Sequence, residues 1–208
     1  PGAVEFAEKA SKLCTVSIAH TDCTYEEACA VFDAGASHLT HLYNAMPGIH
    51  HRKPGPIGAG SERENVVTEL ICDGQHIHPS AVRMAFKLFP GCICLISDAL
   101  RCCGMPDGEY SLGGQPIFVK GIECRLADGT IAGSVLKLNE AVRNMHNNYR
   151  RLPLHKAVKM ASLNPARAIG IDDRKGSLEE GKDADIFLAD ENMNVSRTIL
   201  RGRTIYQA

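Results

Sequence analysis

The sequence has no Cys-x-x-Cys pair, no visible signal-peptide pattern and no surplus of charge of either sign. It also has no apolar run approaching the ~20 residues that a helical bilayer crossing needs. Each absence removes a class of protein. With 23 Lys and Arg against 24 Asp and Glu, the chain lacks the basic bias that draws nucleic acid or an anionic membrane surface. Neither partner is expected. Nine cysteines are present, Cys14, Cys23, Cys29, Cys72, Cys92, Cys94, Cys102, Cys103 and Cys124, mostly inside apolar runs and without zinc-finger spacing. They read as reduced, buried thiols of a cytoplasmic protein. An initial methionine is lacking too. Pro1-Gly2-Ala3 leads almost at once into a helix-like segment, so the chain is expected to be the later part of a longer protein.

The 208 residues suffice for a sizeable core in one or at most two domains. Residues Ala3 to Leu13 predict a helix, with Val4, Phe6, Ala7, Ala10 and Leu13 on one broad face. Thr15 to Ala19 reads as a short strand ending at His20. Thr24 to Glu27 forms a capping-box pattern, opening a helix that Gly35 closes. A second strand, Ser37 to Thr40, ends at His41. A Gly/Pro-rich loop is expected from Pro47 to Gly60. Val66 to Cys72 is a third strand, leading to Asp73-Gly74-Gln75-His76. Pro79 then opens a helix, and Cys92 to Ile96 is a fourth strand leading to Ser97-Asp98. This alternation predicts parallel pairing with both faces covered.

Tyr110 to Leu126 reads as hairpins over a surface. Further helices are expected around Leu138 to Met145 and Leu154 to Ala161, and after Asn164-Pro165 with Asn164 as cap. From Lys175 onward, three strand-like runs (Asp185 to Ala189, Ser196 to Leu200, Arg203 to Tyr206) suggest a small sheet outside the barrel.

Four successive strands thus deliver His20, His41, His76 and Asp98 at their C-terminal ends, where an α/β barrel keeps its chemistry. Two neutral imidazoles from adjacent strand ends suit zinc or a similar divalent ion. A nearby carboxylate that is not a ligand, Asp98, can take a proton from water and return it to a leaving amine. Metal-assisted hydrolysis of a C–N or C–O bond follows. By strand alternation His38 is expected to point away from residues 39 and 41. His78 is a candidate for supporting the site from behind. His50, His51, His146 and His155 take surface or structural roles by default.

The motifs HTDCTYEEA at 20–28, THLYNAMP at 40–47, DGQH at 73–76, SDA at 97–99, PDGEYSLGG at 106–114 and AGS at 132–134 resemble the N-acetylglucosamine-6-phosphate deacetylases, in matching order and spacing. The tail from Lys175 through Gly181-Lys182-Asp183-Ala184-Asp185 to Gly202-Arg203 resembles the closing segment of amidohydrolases in general. The resemblance implies His20 and His41 as metal ligands and Asp98 as proton shuttle. It implies Asn44, Ala45, Arg52, Asp73, Gly74, Gln75, His76, Ile131, Ala132 and Gly133 as substrate-binding residues. Arg52 would anchor the phosphate of a neighbouring subunit's substrate, which implies a homodimer. The cofactor implied is a divalent metal, zinc first and iron as the alternative, one or two ions.

The fold class expected is α/β. Residues 1–174 are the C-terminal half of a TIM-like (β/α)8 barrel, strands five to eight, and residues 175–208 are strands of a small β-sandwich. The family's glutamate ligand and the histidine thought to polarise the substrate carbonyl lie upstream of these residues, so this chain alone is expected to be inactive. Two alternatives stand beside this reading. One is another amidohydrolase, namely an N-acetylgalactosamine-6-phosphate deacetylase, a deaminase or a cyclic amidase. The other is a non-catalytic sugar-phosphate-binding remnant.

Overall fold

The computed structural model describes residues 1–149 and 152–208. Four short parallel strands make the central sheet: β1 (Ser17–Ile18), β2 (His38–Leu39), β3 (Val67–Ile71) and β4 (Ile93–Ile96), in the order β1-β2-β3-β4. Helix α1 (Ala3–Ala10) precedes the sheet; α2 (Tyr25–Asp33), α3 (Gly55–Ser61) and α4 (Pro79–Leu88) connect its strands. Parallel neighbours require such crossovers, because a hairpin cannot join them. After β4 come an antiparallel sheet of β5 (Gly108–Leu112), β6 (Gln115–Lys120) and β7 (Glu123–Leu126), and then helices α5 (Leu138–Asn148), α6 (Leu154–Met160) and α7 (Leu163–Ala168). A separate antiparallel sheet, β8 (Ile186–Ala189), β9 (Val195–Leu200) and β10 (Arg203–Gln207), closes the chain. No helix among the described residues is long and apolar enough to cross a membrane.

Strand parity divides the parallel sheet into two unlike faces. Ile18, Leu39, Leu70, Ile93 and Leu95 are buried on one of them. An added Cβ on Gly60 of α3 would meet Leu39 Cδ1, Phe89 Cε1 and Val66 Cγ1, so this is the helix-covered face. The matching stripes are Ala28 and Phe32 on α2, Val82 and Ala85 on α4, and Ala141, Val142 and Met145 on α5, at helical spacing. The opposite face is mixed, polar towards β1 and β2, with Val67, Ile71 and Ile96 on β3 and β4. It carries Ser17, Thr40, His38, Glu69 and Cys94, with Ser17 Oγ 2.5 Å from Thr40 Oγ1. The capping box forms as the sequence predicts: Thr24 Oγ1 accepts from Glu27 N at 3.2 Å and Glu27 Oε2 accepts from Thr24 N at 2.8 Å.

Three expectations need correction. Helix α1 stops at Ala10, where a tight turn brings Leu13 N to Ala10 O at 2.9 Å. Only Ala7 of its apolar side is buried, while Phe6 is 65% and Leu13 89% exposed, because α2 covers the Ala7 side alone. The Pro47–Gly60 loop contains a buried helix, α3. Its glycines are there for closeness: an added Cβ would lie 2.4 Å from Pro54 Cβ at Gly58 and 2.7 Å from Leu39 Cδ1 at Gly60. Asn164 caps nothing. It lies inside α7, and its side-chain amide donates to the carbonyls of Ile93 (2.7 Å) and Gly91 (3.3 Å), pinning that helix to β4.

Leu39, against which Gly60 packs, is fully buried and cannot yield. Gly60→Ala is therefore expected to destabilise the chain by about 1–3 kcal/mol, despite alanine's better helix propensity. Urea denaturation of the two forms checks this, with a lowered midpoint expected.

Candidate active site

Four polar side chains leave the parallel sheet at one common offset. His20, His41, Asp73 and Asp98 each stand two residues beyond the last residue of β1, β2, β3 and β4. His20 (φ 41°), His41 (φ 32°) and Asp98 (φ 48°) are in the left-handed region, as are Tyr43 (φ 76°) and Ala45 (φ 50°). Non-glycine residues adopt this conformation at a cost and concentrate at functional sites. His41 would follow Leu39 into the helix layer if the strand continued. The left-handed turn carries its ring to His20 instead, the two Nε2 atoms lying 2.9 Å apart with ring centroids 4.7 Å apart and planes at 76°. Thr21 N donates to Ala45 O at 3.0 Å, tying together the loops that hold the two histidines.

This pair fits a divalent cation. Two nitrogens at about 2.0–2.1 Å from one tetrahedral zinc sit roughly 3.3 Å apart, close to the separation seen. Two facing Nε2 lone pairs also need a cation or a shared proton between them. Nδ1 of His41 is buried without a partner. Among the described residues no group of three or more His, Cys, Asp or Glu is placed to hold a metal, so the His20–His41 pair alone does not make a full ligand set. The cysteines do not extend it. All nine are free thiols, and burial, helped by the nearby carboxylates Asp73 and Glu69, pushes Cys72 and Cys94 up to about 12.

One residue that sequence reasoning missed supports His41. Glu69 of β3 accepts Leu42 N through its carbonyl at 2.9 Å and His41 N through Oε2 at 3.4 Å. Its Oε1 lies 3.5 Å from Nε2 of His38, which is buried on the mixed face. The signal was a charged residue in the middle of a buried strand. His38 thus faces Glu69 across the sheet, and strand alternation does not relate it to His41, because His41 has already left the strand.

The expected substrate-binding residues fall into three groups. Asn44 spends its side-chain amide on the carbonyls of His41 and Leu42, 3.1 Å each, so it shapes the turn and leaves only Oδ1 for a ligand. Arg52 is exposed, its Nη1 2.6 Å from His51 Nε2. Ile131, Ala132 and Gly133 run beside Asp98. Ala99 and Ser134 form a parallel bridge, Ser134 N donates to Asp98 O at 2.9 Å, and a Cβ on Gly133 would be 3.2 Å from Asp98 O. A narrow crevice joins Gly133 and Ile131 to Asp73, Gln75 and His76. His78, the other histidine near this loop, is the N-cap of α4, its Nδ1 accepting from Ser80 N at 3.2 Å.

Residues 120–205 match the amidohydrolase family. The chain is 44% identical over 192 residues to the N-acetylglucosamine-6-phosphate deacetylase of Bacillus subtilis (strain 168), a match covering 91% of this chain and 48% of that protein. It is 42% identical over 163 residues to a putative N-acetylgalactosamine-6-phosphate deacetylase of Escherichia coli (strain K12), covering 78% of this chain and 97% of that protein. The chain belongs to the N-acetylglucosamine-6-phosphate deacetylase family. A solved deacetylase of this family from Mycobacterium smegmatis, in complex with N-acetyl-D-glucosamine-6-phosphate, superposes with a TM-score of 0.91 at 34% identity, covering 98% of this chain and 54% of that one. The fold is accordingly the α/β fold of the amidohydrolase deacetylases. The chain spans about half the length of the Bacillus and Mycobacterium deacetylases that it matches.

In this member of the deacetylase family the Asp73 carboxylate is the most heavily engaged group of the site. Burial would raise its pKa, but the His76 side chain and the backbone N–H groups of His76 and Gln75 outweigh burial and lower it below the usual value. The unfolded chain therefore binds the proton more readily, so Asp73 stabilises the fold above its unfolded pKa of 3.8 and loses that contribution as pH falls through its lower folded value. Urea midpoints measured from neutral pH down to about pH 3 should fall in the acid limb, and Asp73→Asn should flatten that limb.

Proposed function

We propose that this chain carries part of the active site of a metal-dependent hydrolase that deacetylates N-acetylglucosamine 6-phosphate, giving glucosamine 6-phosphate and acetate. The observation that carries this reading is the convergence of His20 and His41 Nε2 at 2.9 Å, at the ends of adjacent parallel strands. A divalent ion, zinc or else iron, singly or as a pair, would be held by these two rings and would supply water activation and carbonyl polarisation. Asp98, at the same strand-end offset, takes the proton of the attacking water on a carboxylate oxygen. It then delivers that proton to the nitrogen as the C–N bond breaks.

Substrate is held away from the scissile bond, which fixes the acetamide against the proton shuttle. Arg52 offers a forked donor to the phosphate, reaching from each subunit of a homodimer into its neighbour's site. The Asn44-Ala45 turn, the Asp73–His76 loop and the Ile131–Gly133 segment beside Asp98 line the sugar. The four parallel strands are read as strands five to eight of an eight-stranded barrel whose C-terminal half is residues 1–174, and residues 175–208 as strands of a small β-sandwich. Nine free thiols support a reducing, cytoplasmic setting.

Substituting Arg52 tests the substrate. In the full-length protein Arg52→Ala should raise KM for N-acetylglucosamine 6-phosphate roughly 10- to 100-fold, as expected for losing a hydrogen bond to a charged group, with kcat largely kept. An unchanged KM would remove the phosphate anchor from this reading. The name of the Escherichia coli relative makes N-acetylgalactosamine 6-phosphate the comparison substrate, and the ratio of kcat/KM values decides between the two sugars. His41→Ala tests the metal: elemental analysis should show the bound ion lost from purified full-length protein, and full retention would contradict the ligand assignment.

A further inference from the structure

Ser134 lies beside Asp98 and is bonded on four sides. Its N–H donates to the carbonyl of Asp98 at 2.9 Å, and its own carbonyl accepts from Leu100 N at 2.8 Å. Its hydroxyl donates to the carbonyl of Ser97 and accepts from Leu136 N at 3.0 Å. Ser134 is 2% exposed, and with both roles of its hydroxyl filled inside the protein it does not touch a substrate. Asp98 is in the left-handed region, φ 48°. A residue other than glycine stays there only where its surroundings over-determine it.

The Ser97 carbonyl and the Asp98 N–H belong to one planar peptide unit, whose rotation about the N–Cα bond is the φ of Asp98. The Asp98 carbonyl belongs to the next unit, which sets ψ. The Ser134 hydroxyl holds the first plane and the Ser134 N–H holds the second. One residue thus fixes both dihedrals of Asp98, and through them the direction in which its side chain leaves the backbone. Gly133 allows the close approach, since a Cβ there would lie 2.8 Å from Leu100 Cδ2 and 3.2 Å from Asp98 O. We infer that Ser134 is a positioning residue, whose hydroxyl holds the left-handed turn that aims the Asp98 carboxylate at the reacting water. The proton-transfer half of this inference rests on the deacetylase reading above; the hold on the backbone does not.

Steady-state kinetics on the full-length protein tests this with Ser134→Ala, Asp98→Asn and the double variant. Ser134→Ala should lower kcat about 10- to 100-fold, the cost of a misplaced reacting group. KM, and bound metal by elemental analysis, should keep their wild-type values. An unchanged kcat overturns the inference, and so does a joint loss of metal and substrate affinity, the mark of a merely structural role. Asparagine tolerates the left-handed region, so Asp98→Asn removes the carboxylate without removing the turn. In that background Ser134→Ala should cost nothing further, because residues that act as a unit are non-additive. Losses that multiply would place the action of Ser134 elsewhere and refute its role.

Ser134→Cys keeps the shape with a weaker donor, and its kcat should fall between those of the alanine variant and wild type. If Ser134→Ala does not fold, a wild-type kcat in Ser134→Cys overturns the role of the hydroxyl. A crystal structure of the folded variant reads the backbone without any turnover: the Ser97–Asp98 peptide should be rotated from its wild-type orientation, and an unmoved peptide refutes the hold. Full kcat in Asp98→Asn would overturn the proton shuttle and the aim of the carboxylate, while a rotated peptide in that same case would leave the hold on the backbone standing.

Discussion

Strand parity is the constraint on which this site depends. Ile18 and Leu39 must enter the helix-covered face, and residues of the same parity, His20 and His41, would follow them into apolar surroundings if the strands ran on. The left-handed turns at these two positions break the alternation and bring both rings together outside the sheet. Each such turn costs on the order of 1–2 kcal/mol. The hydrogen bonds from His41 N and Leu42 N to Glu69, and from Thr21 N to Ala45 O, offset that cost. Asp73 and Asp98 face no such conflict, because Ile71 and Ile96 before them pair with each other on the mixed face of the sheet.

The mixed face of this sheet is unlike the interior of an ordinary parallel sheet, which is apolar on both faces. Ser17, Thr40, His38 and Glu69 bond to one another there or to the loops above, so the layer beneath the histidine pair is itself a hydrogen-bonded platform. Rigid support of this kind holds a catalytic constellation in place with less dependence on its exposed loops.

Much of this was legible in the sequence, because short apolar runs alternating with helical stripes leave few other arrangements. The strand-end positions of His20, His41 and Asp98 followed from the same pattern. What could not be read has physical causes. Glycines in 55–60 signal a loop by propensity, yet here they let α3 sit against Leu39 and Pro54. Asn164 looks like a cap, and its actual partners, Ile93 and Gly91, lie more than seventy positions away. Glu69 was hidden because its importance lies in what its carboxylate touches, not in any local motif. Nothing in the residue types at 20, 41 and 98 announces a left-handed backbone, since none is glycine.

The common two-residue offset makes the ends of these strands into fixed addresses. The backbone that presents His20, His41 and Asp98 is held by buried rows, Leu39 with Thr68 and Leu70 with Leu95, whereas at Asp73 the displayed side chain also holds its own loop. Such a scaffold can exchange the displayed residue with little disturbance to the rest of the sheet. Chemistry on this frame is thus open to revision by single substitutions, one address at a time, while the architecture that carries it stays unchanged.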